Sequence, residues 1–107
     1  MSRPQASEDV FRAVADPTRR GLLDLLAAQD LPVNHLARSF DMTLPAVSQH
    51  LRILREAGLV KERREGRQRF YHLRADPLRE MAAWVGRYKR FWRRKLRALG
   101  EHLERNP

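Results

Sequence analysis

The chain has no cysteine among its 107 residues. Disulfides, thiolate metal sites and cysteine nucleophiles are excluded together, and cysteine usage leaves the redox compartment undetermined. Apolar runs are short. None approaches the roughly 20 residues that a membrane helix needs, and Met1 to Ser7 lacks the apolar stretch of a secretory signal. A cytoplasmic location follows by elimination. There is no internal repeat, no Gly-rich phosphate loop and no nucleophile elbow, so enzymatic activity is not expected. Lysine is scarce too: of 22 Lys and Arg residues only three are Lys.

Apolar residues make up 42% of the chain, enough for a folded core. The length suits one domain spanning 1–107. A formal charge of +9 favours a polyanionic partner, either nucleic acid or an acidic membrane surface. A G- and C-rich genome also inflates Arg, so the placement of the charge matters more than its total.

Punctuation divides the first half into short helices. Ser7 is positioned to cap a helix carrying Val10, Phe11 and Val14. Asp16-Pro17 restarts the chain, with Asp16 as N-cap and Pro17 at the first helical position. Leu22, Leu23, Leu25 and Leu26 give this second helix a broad apolar face. Asp30-Leu31-Pro32 breaks it, and Val33, Leu36, Ala37 and Phe40 recur at helical spacing in a third. After the turn Asp41-Met42-Thr43, with Thr43 as cap, a fourth helix runs from about Pro45 to Ala57. Gly58 fits the left-handed position past its end. Two helices joined by so tight a turn form a helix-turn-helix.

The period then changes. Leu59 to Arg64 reads as a strand, Glu65-Gly66 as a turn and Arg67 to Leu73 as the return strand, a wing at about 59–73. Asp76-Pro77 opens a long last helix at about 77–106. The expected fold is mostly α with a small β-hairpin, a dimeric winged helix-turn-helix in the order α-α-α-α-β-β-α.

On the fourth helix Leu44, Val47, Leu51 and Leu54 share one face and should be buried. Pro45, Gln49, Arg52 and Glu56 lie opposite, Ser48 on one flank, Ala46 and His50 on the other. A small, polar N-terminal half suits the major groove, where Gln and Arg bond to base edges. An ordinary amphipathic helix with a solvated face gives the same pattern. The hairpin tilts the balance. Lys61, Arg63, Arg64, Arg67 and Arg69 crowd it, offset only by Glu62 and Glu65. Alternation puts Arg67 and Arg69 on one face near the tip, with Phe70 turned to the core. Positive charge beside a reading helix matches contacts to phosphates and the minor groove.

The runs Ala15-Asp16-Pro17-Thr18-Arg19-Arg20 and Val47-Ser48-Gln49-His50-Leu51-Arg52-Ile53-Leu54-Arg55-Glu56-Ala57-Gly58-Leu59-Val60 resemble the ArsR/SmtB family of bacterial repressors. Arg63-Arg64-Glu65-Gly66-Arg67-Gln68-Arg69-Phe70-Tyr71 is similar to that family's wing, and the likeness extends over about 8–100. It implies a homodimer that occupies promoters and releases them on a signal. It also implies DNA contacts from Ser48, Gln49, His50 and the residues just before them, among which we count Thr43, Leu44 and Ala46. Leu44 and Ala46 are often polar in relatives; here they suit thymine methyls.

Metal-sensing members use third-helix cysteines or a His/Asp/Glu set on the last helix. Those cysteine positions correspond to Pro32 and Asn34. Asp76 is followed by Pro77-Leu78 with no histidine two residues on, and His102 by Arg105 three residues on. The expectation is that no metal or other cofactor is bound. His35, His50, His72 and His102 show no ligand spacing among themselves.

Leu78, Met81, Val85, Tyr88, Trp92, Leu96, Leu99 and Leu103 form a stripe on the last helix, widened by Trp84 and Phe91. One edge can pack inward and the other against a second copy. The resemblance places the dimer interface on the first and last helices, here Val10, Phe11, Val85, Tyr88, Trp92, Leu96, Leu99 and Leu103. The Tyr88-x-x-Phe91-Trp92 cluster is similar to a metal-free subgroup. Arg87, Arg90, Arg93, Arg94 and Arg97 line the opposite face; dimerisation would use up the apolar face that membrane binding requires. The expected partners are double-stranded DNA and a second copy. No residue pattern points to an effector. The alternative is a winged-helix adaptor whose basic wing binds an acidic protein.

Overall fold

The computed structural model describes the backbone of residues 4–105 and the surroundings of side chains 8–103. The helices are α1 (Pro4–Val14), α2 (Pro17–Ala28), α3 (Val33–Ser39), α4 (Leu44–Glu56), α5 (Leu78–Gly86) and α6 (Lys89–Arg105). The strands β1 (Leu31–Pro32), β2 (Val60–Glu65) and β3 (Gln68–Leu73) form one antiparallel sheet in the order β1-β3-β2.

Local chemistry sets most of these boundaries. The Asp16 carboxylate accepts from the Arg19 backbone N–H at 3.0 Å, capping α2 ahead of Pro17. That bond, above all, holds the Asp16 carboxyl below its ordinary range. The Thr43 hydroxyl accepts from Ala46 N–H at 3.3 Å and caps α4. At the far end of α4, Gly58 adopts φ +78, while Gly58 N–H donates to Arg55 O and Leu59 N–H to Leu54 O, each at 2.9 Å. These two bonds satisfy orphan carbonyls, and Leu59 and Leu54 meet in the core as such a cap prefers.

The core is assembled from Ala13, from Leu22, Leu23 and Leu26 of α2, Leu36 and Ala37 of α3, and Val47, Leu51 and Leu54 of α4, closed by Leu59, Val60 and Tyr71. Each fully buried Leu contributes roughly 1.5–3 kcal/mol of hydrophobic stabilisation. This core fixes α4 against the sheet, so the outer face of the helix and the hairpin have one relative orientation.

Several details differ from expectation. Helix α1 begins at Pro4, whose fixed φ suits a first turn, so Ser7 lies inside it. Leu44 is 47% exposed because it starts α4, one turn beyond the buried Val47. The hairpin turn is Gly66-Arg67, not Glu65-Gly66, with Gly66 at φ +62. Tyr71 faces the core instead of Phe70: β3 presents Tyr71 and Leu73 inward opposite Glu62 and Val60. The Leu31-Pro32 break is also strand β1, paired with Tyr71 and Phe70.

The last helical stretch is two helices. At Arg87-Tyr88 the bonding tightens, Arg87 N–H donating to Trp84 O and Tyr88 N–H to Val85 O, just after Gly86, a poor helix former. Asn106, where that stretch was expected to end, lies outside the described residues. The chain measures 60 × 43 × 20 Å with a radius of gyration of 18.0 Å. A compact chain of this length would have about 13 Å. Helix α6 accounts for the excess, projecting from the body with its stripe uncovered.

Candidate nucleic-acid interface

Helix α3, its turn and α4 form the helix-turn-helix. Asp41 takes the left-handed conformation (φ 52), which Asp tolerates better than most residues, while Met42 N–H donates back to Ala37 O at 3.0 Å. The turn therefore presents the start of α4 outward. Thr43, Leu44, Pro45, Gln49 and Arg52 are exposed there, and Ala46, Ser48 and His50 are half-buried at the flanks. Gln49 occupies the middle of the free face. Arg52 is turned along the helix to Glu56, 3.4 Å away. The Thr43 hydroxyl accepts the cap bond from Ala46 N–H and keeps its own O–H as a donor.

The hairpin's charges fall into two groups. Glu62 collects three partners: it accepts from the Tyr71 hydroxyl at 2.8 Å and from Arg55 at 3.2 Å, and Arg69 lies 3.8 Å away. Burial, with this bond second, pushes the Tyr71 phenol up from its usual pKa. Arg63 donates to Asp30 and to Glu65 and lies over the Phe70 ring at 5.1 Å. Arg64 and Arg67 have no carboxylate partner among the described residues, and Lys61 has none either. Arg67 stands at the turn and Arg64 on β2 opposite Arg69. Two of these three cations, Arg64 and Arg67, thus stand near the hairpin tip, Lys61 lies toward its base opposite His72, and Arg63 and Arg69 belong in part to the scaffold.

Asp30 joins the α2–β1 connection to the wing. Its carboxylate accepts from His72 Nδ1 at 2.7 Å and from Arg63. These bonds, His72's first, hold the Asp30 carboxyl below its ordinary value of 3.8. A depressed carboxyl pKa stabilises the fold above the unfolded value and loses that effect as pH falls through the folded one. Urea unfolding should therefore find Asp30→Asn less stable than wild type at about pH 5, with the difference closing below pH 3.8. A gap that persists unchanged in acid would show that Asp30 does not act through its charge.

The proposed dimer residues divide as well. Val10 is 6% exposed and offers a partner little surface. Phe11 meets Trp84 edge-on at 5.8 Å, and Trp84 meets Tyr88 at 5.5 Å. Val85, Tyr88, Trp92, Leu96, Leu99 and Leu103 are all exposed in the single chain. Trp84, Val85, Tyr88, Phe91, Trp92 and Lys95 line an open apolar groove of about 420 Å³. Sequence reasoning missed three residues that build the site: Arg19, Asp30 and Glu62. Arg19 was visible as part of the Asp16-Pro17-Thr18-Arg19 run, whereas the other two act through contacts distant in sequence.

A helix-turn-helix whose second helix is free on its outer face, followed by a hairpin with unpaired arginines at its tip, defines a winged-helix DNA-binding protein. Residues 16–62 match the family described as the bacterial regulatory protein, arsR family. The chain is 36% identical over 77 residues to the transcriptional repressor SdpR of Bacillus subtilis, covering 72% of this chain and 86% of that one. It is 38% identical over 104 residues to the HTH-type transcriptional regulator Rv2034 of Mycobacterium tuberculosis, covering 97% and 94%. A solution structure from Mycobacterium bovis, a homodimeric winged helix-turn-helix DNA-binding domain, superposes with a TM-score of 0.67 at 31% identity, covering 79% and 82%. The chain belongs to the ArsR family of bacterial transcriptional regulators. It is a DNA-binding regulator, not an enzyme.

Proposed function

We propose that this protein is a homodimeric repressor that binds an inverted-repeat operator in the cytoplasm and responds to no metal. The observation that carries this reading is the combination, on one packed body, of the free face of α4 with the unpaired Arg64 and Arg67 of the hairpin that follows it, together with an uncovered apolar stripe on α5 and α6. Thr43, Leu44, Ala46, Ser48, Gln49, His50 and Arg52 lie along or beside the face that enters the major groove. Arg64 and Arg67 meet the phosphates or the minor groove, with Arg63 and Arg69 supporting them. The stripe from Val85 to Leu103, with Phe11, packs against its copy.

Metal independence rests on ligand chemistry. The chain has no cysteine, and no three His, Asp or Glu side chains among the described residues lie close enough together to hold an ion. A titration of operator duplex with protein, at several salt concentrations, tests the function. Submicromolar, salt-dependent binding that prefers operator over scrambled duplex is expected. Weak binding to both would favour the adaptor reading. Micromolar zinc, copper or cadmium should leave the titration unchanged. Release of DNA by stoichiometric metal, restored by a chelator, would refute metal independence.

A further inference from the structure

The Asp16-Pro17-Thr18-Arg19-Arg20 run does more than start a helix. Arg20 Nη1 donates to Val14 O at 2.8 Å and Ala15 O at 3.2 Å. Arg19 donates from Nε to Ala13 O at 2.7 Å and from Nη2 to Arg12 O at 3.0 Å. Both cations thus sit on the carbonyl-rich end of α1, where positive charge is favoured. With its own backbone N–H on Asp16, Arg19 is fixed at three points. Its remaining nitrogen, Nη1, lies 3.3 Å from His50 Nδ1 on α4.

That last contact has only one chemical form. A guanidinium stays protonated and has donors but no acceptor. His50 Nδ1 must therefore be the acceptor and carry no proton. A neutral imidazole then holds its proton on Nε2, across the ring from Arg19. We infer that Arg19 is a positioning residue for DNA recognition, holding His50 in the Nε2–H tautomer so that α4 presents a fixed donor to an acceptor atom of the duplex. This rests on the reading in which α4 enters the groove. The acceptor is a phosphate oxygen or a base-edge atom such as guanine N7 or O6, adenine N7 or thymine O4; the exocyclic amines of adenine and cytosine are refused.

Two measurements on the full-length protein test this. The first is the imidazole ¹H–¹⁵N correlation spectrum of the DNA-free protein, with His50 assigned by loss of its signals in His50→Gln. Wild type should show the Nε2–H tautomer, and Arg19→Met a mixture of tautomers. An Nδ1–H form in wild type overturns the inference, whether or not Arg19→Met folds. The second is affinity for operator and scrambled duplex. A Gln amide nitrogen reaches the place of Nε2, whereas an Asn amide reaches only that of Nδ1. His50→Gln should stay within about threefold of wild type, and His50→Asn should weaken binding about tenfold, the worth of one good hydrogen bond to the duplex. A loss confined to the operator identifies a base-edge acceptor, and an equal loss on both duplexes identifies a phosphate. Equal affinities for the Gln and Asn variants overturn the inference. If Gln49→Ala also leaves operator binding untouched, the groove reading of α4 falls with it; if Gln49→Ala weakens it, only the role of His50 is lost.

Discussion

Trp92→Glu is expected to leave the protein monomeric at micromolar concentration and to abolish tight operator binding. Trp92 is 59% exposed in the single chain and takes no part in the core, so the substitution should spare the fold. In the proposed dimer the same position lies within the buried stripe. An unpaired carboxylate there costs several kcal/mol, enough to lower association by two orders of magnitude or more. A monomer engages one half-site and loses the gain of having the second one tethered. Sedimentation velocity and an operator titration on the same sample check both statements. A folded Trp92→Glu dimer with wild-type affinity would place the interface elsewhere.

The second large effect separates holding DNA from reading it. Replacing Arg64 and Arg67 with Ala removes the two arginines near the wing tip that have no carboxylate partner. Binding to any duplex should weaken, and the salt dependence should fall by about 0.9 for each phosphate left without its cation. A dimer carries the change twice. Gln49→Ala should instead cost the operator ~1–3 kcal/mol for each base that Gln49 reads and leave scrambled duplex nearly untouched. Fluorescence anisotropy of both variants on both duplexes, across a salt series, distinguishes the outcomes. Equal weakening of both duplexes by Gln49→Ala would mean that this residue reads no base.

What could be read from the sequence follows the range of the forces involved. The Asp16 and Thr43 caps and the Gly58 stop are decided within a few residues, and the helix-turn-helix follows from them. The inward faces of α2 and α4 were legible because 3.6-residue periodicity persists over three turns. Leu44 was misplaced because periodicity does not say where a helix leaves the core. The hairpin shows the penalty of a one-residue slip. With the turn at Gly66-Arg67, Glu65 pairs with Gln68, and parity carries Tyr71 inward and Phe70 out beneath Arg63. Strand β1 has two residues and exists only because β3 offers it an edge. The bonds from Asp30 to His72 and from Arg19 to His50 span 42 and 31 positions. No local pattern announces them.

The anchoring of Arg19 on the end of α1 ties the reading helix to the helices that carry the proposed seam. Helix α1 touches α5 through Phe11 and Trp84, beside the proposed two-fold axis, and Arg19 carries its position across to α4. Reading helices of a symmetric dimer sit one turn of DNA apart, about 34 Å, so each stands roughly 17 Å from the axis. A tilt of about 10° at the seam would move each helix by roughly 3 Å at right angles to the line joining the pair, which is movement into or out of the groove. The guanidinium then works as a strut between hinge and blade. Small angular changes where the subunits meet would seat or lift both reading helices together, and the depth of each groove would be felt at the seam.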